Sequence, residues 1–231
     1  MIDYNCLIGH WPFRKIRKQS LEELKLLYEK YEIEYGYISS LDSIFYHDPF
    51  EGDKELAEKL KKTENKMVIS LNLSLPYIER DIKKANESFE YEGIRIYPSI
   101  HGFDLSGNSF DEFLHMVKEN RKKLFISYRM GDIRLDHIIR QSLPDTKEIE
   151  EILKNRYENE IYVLNLKSFE VLEMKTSFTG GDKVYFDTSD VKHETFAIER
   201  FKNEGLKGKY VFGSFYPLYT FESTYMIYSR T

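Results

Sequence analysis

Short runs rich in β-branched and aromatic residues recur along the chain, at MIDYNCLI, IEYGYISS, KMVISLNLS, GIRIYPS, KLFISYR, EIYVLNL, KVYFDTS and KYVFGS. Between them the apolar positions change to helical spacing, as in SLEELKLLYEKY, DKELAEKLKKT, PYIERDIKKANESF, FDEFLHMVKENRK and DTKEIEEILKNRY. That change of period predicts strands alternating with amphipathic helices. Ser20 ahead of Leu-Glu-Glu, and Asp145 with Glu148 three residues on, read as helix starts. SFEVLEMK and DVKHETFAIERFKN are less regular but still helical in character.

Strand and helix alternate eight times with no Pro/Gly/Ser-rich linker, which predicts one α/β domain over residues 1–231. Eight units in this length fit a compact (β/α)8 TIM barrel, a fold of typically about 250 residues. A doubly wound open sheet is the alternative. Against it, no strand leads into the glycine-rich turn of a dinucleotide site or a phosphate loop.

Charge then narrows the function classes. The net charge of −5 gives no basic footprint for nucleic acid. Mixed-sign faces such as LEELKLLYEKYE read as solvated helix surfaces. No apolar run approaches the roughly 20 residues of a membrane span, and Asp3 and Asn5 interrupt the only apolar stretch near the N-terminus. Cys6 is the one cysteine, so no internal disulfide can form, and a cytoplasmic location is expected. Cys6 also alternates with Asn5 along its strand, which reads as a buried small residue rather than a nucleophile. The 18 tyrosines and 16 phenylalanines would suit a core or the face of a homo-oligomer.

In a (β/α)8 barrel the chemistry sits where the strands end. The polar residues at those ends are Asn5, His10 and Arg14 after strand one and Arg95, Tyr97 and His101 after strand four. Arg129, Asp132, Arg134 and His137 follow strand five, Asn165 ends strand six and Asp187 ends strand seven. Arginine suits bidentate recognition of carboxylate or phosphate, and histidine can move a proton near neutrality. His101, Arg95, Arg129 and Asp132 are therefore the catalytic candidates, and the others are candidates for holding a small anionic substrate. Structural readings compete. Arg95 could form an interior salt bridge with Asp3 or Asp187, Arg129 a surface ion-pair cluster with its neighbours, and Trp11-Pro12-Phe13 a plug over the first loop.

The opening MIDYNCLIGHWPFR, the fourth-strand GIRIYPSIHGFDL and the closing VFGSFYPLY resemble, in order, segments of amidohydrolase-related proteins of the "amidohydrolase 2" kind. The resemblance implies a TIM-barrel hydrolase or decarboxylase in which divalent metal, often zinc, activates water. It also implies a His-x-His pair on strand one, histidines on strands five and six, and an aspartate ending strand eight. Here Asn5 and Leu7 stand at the pair, Ser127 or Tyr128 and Asn165 at the next two positions, and Phe215 at the aspartate. A catalytic zinc needs three protein ligands, so the standard site is absent and no metal or other cofactor is expected. Two readings stay open: a hydrolase or lyase working without the usual metal or with a rearranged one built from His10, His101 or His137, and a non-catalytic relative that binds a small molecule or a protein partner through the same rim.

Overall fold

A computed structural model describes residues 1–17, 19–131, 141–154, 159–191 and 194–229. The strands are β1 (Ile2–Ile8), β2 (Tyr35–Ser40), β3 (Lys66–Leu71), β4 (Gly93–Ile96), β5 (Lys123–Ser127), β6 (Ile161–Leu164), β7 (Val184–Asp187) and β8 (Tyr210–Val211). They form one eight-stranded sheet in sequence order, parallel throughout. The segment after β8 returns to β1: Tyr4 N–H donates to the Phe212 carbonyl at 2.9 Å, and Leu7 N–H to that of Tyr216 at 2.8 Å. The sheet therefore closes on itself as a TIM barrel, and the open-sheet alternative falls.

The connections carry α1 (Leu21–Tyr31), α2 (Asp42–Phe45), α3 (Pro49–Leu60), α4 (Ile78–Ser88), α5 (Pro98–His101), α6 (Asn108–Glu119), α7 (Thr146–Lys154), α8 (Ser168–Glu173), α9 (Lys175–Gly180), α10 (Ala197–Asn203) and α11 (Phe221–Tyr228). At α1 the Ser20 hydroxyl accepts from Glu23 N–H and the Glu23 carboxylate accepts from Ser20 N–H, each at 3.2 Å. This reciprocal cap satisfies two donors that a helix start otherwise leaves orphaned. Helix α3 begins four residues earlier than its apolar pattern suggests. Pro49 opens it with Asp48 as its cap, and proline costs nothing at a position whose N–H is unpaired anyway. Among the described residues no helix is long and apolar enough to cross a membrane.

Strand alternation sorts the side chains. Cys6, Ile38, Ile69, Ile94, Ile96, Leu124, Ile126 and Phe186 point outward into the main core, where Leu24, Leu56, Phe113 and Phe201 meet them from the helices. The inner positions fill the barrel in layers. At the floor Tyr4 stacks on Tyr37 and Tyr162 at 5.0 and 4.9 Å, and Tyr162 on Phe125 and Tyr185 at 4.9 and 5.2 Å. Above them the inward side chains turn polar.

Candidate functional site at the barrel mouth

Asn5 is the hub of the polar layer. Its Oδ1 accepts from Arg95 Nη2 at 2.8 Å, and its Nδ2 donates to Asp187 Oδ2 at 2.9 Å and to Asn165 Oδ1 at 3.2 Å. The amide can point only one way, because a guanidinium only donates and an ionised carboxylate only accepts. Asn5 therefore joins a buried cation to a buried acid. Arg95 also donates through Nε to Ser127 Oγ at 2.7 Å, and its guanidinium lies 5.3 Å from the centre of the Tyr97 ring. Asp187 accepts the Asn165 backbone N–H at 2.6 Å, and Asn165 donates to Ser189 Oγ at 2.8 Å. Asn5, Asn165, Asp187 and Ser189 are wholly buried and Arg95 nearly so.

The backbone is shaped for this layer. Gly213 faces it so closely that a Cβ there would sit 2.1 Å from Asp187 Oδ2 and 2.9 Å from Asn5 Cβ. Asn165 occupies the left-handed region at φ 63°, which asparagine tolerates better than most residues. The sheet irregularity between Asp3 and Cys6 is held by the Asp3 side chain. Its Oδ1 accepts the N–H groups of Asn5 and Ser214 at 3.1 and 2.9 Å, and its Oδ2 accepts the Tyr28 hydroxyl at 3.0 Å.

Burial governs the ionisation. It pushes the Asp3 carboxyl up to about 6 against its hydrogen bonds, and it raises Asp187 in spite of the Ser189, Asn5 and Asn165 donors. The same desolvation lowers Arg95, partly offset by Tyr97 and Asp187. Arg129 goes the other way. Burial alone would lower it, but Glu170 and Asp190 together raise it. Its Nη2 pairs with Glu170, and its Nη1 donates to Asp190 Oδ2 at 3.2 Å and to the Asn165 carbonyl at 3.3 Å.

These residues do not fit a divalent metal. The oxygen of Asn5 is committed to Arg95, whose positive charge lies beside any cation placed there. Leu7 and Phe215 belong instead to a buried apolar cluster with Trp11, Leu41, Tyr97 and Met130. Among the described residues no three His, Cys, Asp or Glu side chains come together as ligands.

Of the expected site residues, the structure joins Asn5, Arg95, Asn165 and Asp187 in one network, and Arg129 reaches it through the Asn165 carbonyl. Tyr97 is buried, with its hydroxyl 3.3 Å from Ser70 Oγ. The rest stand apart. The His10 side chain is exposed. Arg14 is exposed as well and donates to the Leu218 carbonyl at 2.7 Å, away from the network. His101 Nε2 lies 2.9 Å from the Ile44 carbonyl, and burial lowers its pKa. Its ring packs on Tyr97, so it braces the loop. Asp132, Arg134 and His137 lie outside the described residues. Two structural readings need correction. Arg95 bonds neutral Ser127 and Asn5 rather than forming a salt bridge with Asp3 or Asp187, and Arg129 is a buried ion triad, not a surface cluster. Trp11 does plug the first loop, packing edge-on against Phe13 and Phe45 at 5.2 and 5.5 Å.

Sequence reasoning passed over Glu170 and Asp190. Glu170 also accepts from Lys167 N–H at 2.8 Å, so its position reads as ordinary helix capping. Asp190, three residues past Asp187 in FDTSD, was the available signal.

No protein-family model and no curated protein sequence matches the chain. Solved structures do. An uncharacterized TIM-barrel protein from Bordetella bronchiseptica superposes with a TM-score of 0.72 at 12% identity, covering 100% of this chain and 90% of that one. A probable 2-pyrone-4,6-dicarboxylic acid hydrolase from Acinetobacter baumannii, with citric acid bound, gives 0.66 at 11% identity, covering 99% and 91%. The 5-carboxyvanillate decarboxylase from Sphingomonas paucimobilis gives 0.66 at 11%, covering 98% and 91%. At this identity the likeness establishes architecture: the chain has a TIM-barrel fold that it shares with these proteins.

Proposed function

We propose that this protein acts on a small carboxylate-bearing molecule at the C-terminal mouth of the barrel, as a hydrolase or decarboxylase that works without a divalent metal. Arg95 carries the reading. It is a buried guanidinium that donates through Nε to Ser127 and through Nη2 to Asn5, and no carboxylate of the described residues forms an ion pair with it. A buried charge without a counter-charge is costly, and a carboxylate is the anion that matches a guanidinium. Unmet capacity gathers at the same end of the barrel. Among the described residues Ser99 Oγ and His101 Nδ1 after β4 and Thr188 Oγ1 after β7 are buried without partners, and Ser39 Oγ at the end of β2 has only the Tyr97 hydroxyl beside it. Two of the structural neighbours are named for carboxylated compounds, and one of these holds citric acid. Asp187, raised by burial, is the group placed to exchange a proton within the layer.

A second reading, a binding protein without turnover, is favoured by Leu7 and Phe215. Their packing replaces two ligand positions with apolar surface rather than with other catalytic groups.

Calorimetric titration with citrate and aromatic dicarboxylates, with carbon dioxide and proton release followed after chelator treatment, tests both. Saturable binding that Arg95→Gln abolishes, with turnover insensitive to chelator, is the expected result. Ser39→Ala, milder for folding, should weaken binding several-fold. Binding without turnover selects the second reading. No carboxylate binding, or turnover that a chelator removes, overturns the proposal.

A further inference from the structure

A second candidate site lies on the flank of the barrel, between the loop after β1 and the segment that leads from β8 into α11. A cavity of about 470 Å³ opens there, lined on one side by Arg14, Lys15 and Arg17 and on the other by Tyr216, Tyr219 and Glu222. Its volume falls within the range of small-molecule sites, about 300–1,000 Å³. Three cations face one carboxylate, in a protein whose net charge is −5. Some surface lysines pair with a carboxylate, as at Lys61–Glu58 and Lys175–Glu204. Here neither Lys15 nor Arg17 pairs with a carboxylate among the described residues, and both are exposed at the cavity wall. Arg14 is anchored by its bond to the Leu218 carbonyl, which holds its guanidinium at the cavity edge with other N–H groups to spare. Three like charges within four consecutive positions repel one another, and a bound anion between them would relieve that repulsion.

We propose that this cavity is a binding site for a phosphate-bearing small molecule, separate from the carboxylate site at the mouth. A phosphate group matches the wall better than a single carboxylate. It carries up to two charges and three accepting oxygens, so it can meet Arg14 as a planar fork while Lys15 and Arg17 approach as flexible partners. Tyr219, half-buried at the cavity, offers a ring edge to the rest of the molecule.

Inorganic pyrophosphate is the probe, titrated calorimetrically and by phosphorus NMR at low ionic strength. One saturable site is expected, weakened at least tenfold in the Lys15→Glu/Arg17→Glu double variant. Both side chains are exposed and, among the described residues, without a carboxylate partner, so the variant should keep the parent melting temperature. Citrate binding at the mouth should not change in it. Conversely, Ser39→Ala should leave pyrophosphate binding intact, which separates failure of this site from failure of the mouth site. Pyrophosphate binding that is unsaturable, or that the double variant leaves within twofold, overturns the proposal. So does binding that citrate displaces competitively.

Discussion

The floor of the barrel and the polar layer above it fill the same cylinder by different means. At the floor Tyr4, Tyr37, Phe125, Tyr162 and Tyr185 fill volume with stacked rings, and the Tyr162 hydroxyl donates to Glu160 at the edge. One layer up, Asn5, Arg95, Ser127, Asn165 and Asp187 fill volume with directed hydrogen bonds. A ring can be trimmed and its neighbours relax into part of the gap. An amide between a guanidinium and a carboxylate cannot be replaced by an apolar side chain in the same way, because such a side chain neither accepts from one nor donates to the other.

The largest test of that contrast is Asn5→Leu, which keeps the branched shape of the original but is mute in hydrogen bonding. It leaves Arg95 and Asp187 buried without their bridge and should cost about 3–5 kcal/mol. At about 2–4 °C per kcal/mol for a chain of this size, calorimetry should show a melting temperature lower by about 6–20 °C. A loss no larger than that of a floor hydroxyl would mean the layer is not cooperative.

The next test uses pH, since the carboxyls against the upper layer titrate abnormally. Asp53 on α3 is buried, bonded to Ser43 Oγ at 2.8 Å and to Ser70 N–H at 2.9 Å, and burial pushes it up to about 8. Asp3 is pushed to about 6. Both folded values lie above the ordinary 3.8, so the folded state holds these protons more tightly than the unfolded chain. Their contribution is fully present below about pH 4 and is lost as pH rises, through about 6 for Asp3 and about 8 for Asp53. Melting curves of Asp53→Asn should lose the part of the decline between pH 6 and 8, a difference of several degrees from the parent. Parallel curves for the two proteins would show that Asp53 ionises normally.

The smallest effect is expected at the floor. Tyr162→Phe removes one bond to Glu160, 2.8 Å long and half-exposed, and should cost about 1 kcal/mol or less in chemical denaturation. A cost of 3 kcal/mol or more would make the floor as demanding as the mouth and erase the distinction.

The eight strands were legible because each is a compact β-rich run between helical periods, and a barrel interior needs that alternation throughout. Asn5, Arg95, Asn165 and Asp187 could be placed inside from their position near strand ends. Their mutual bonds could not, because they join residues as far apart as Asn5 and Asp187 through geometry that no local pattern encodes. His10 and Arg14 misled for the opposite reason: a loop near the mouth can aim its side chains outward, and residue type alone does not give direction. Phe215 is a further case. Its backbone is in the left-handed region at φ 51°, strained for a bulky residue, and is held there by a ring buried among Leu7, Tyr97 and Trp11.

The bridging amide also sets how this barrel can be redesigned. Changing Asn5 to histidine would strand Arg95 before any metal could bind. Changing Phe215 to aspartate would place a charge inside an apolar cluster, and Leu7 to histidine would open the same cluster. Each step toward a metal centre lowers stability on its own, and the gain arrives only when several are in place. A library of single substitutions would therefore rank every such step as damaging, so a metal-binding version has to be sought by changing the whole layer at once.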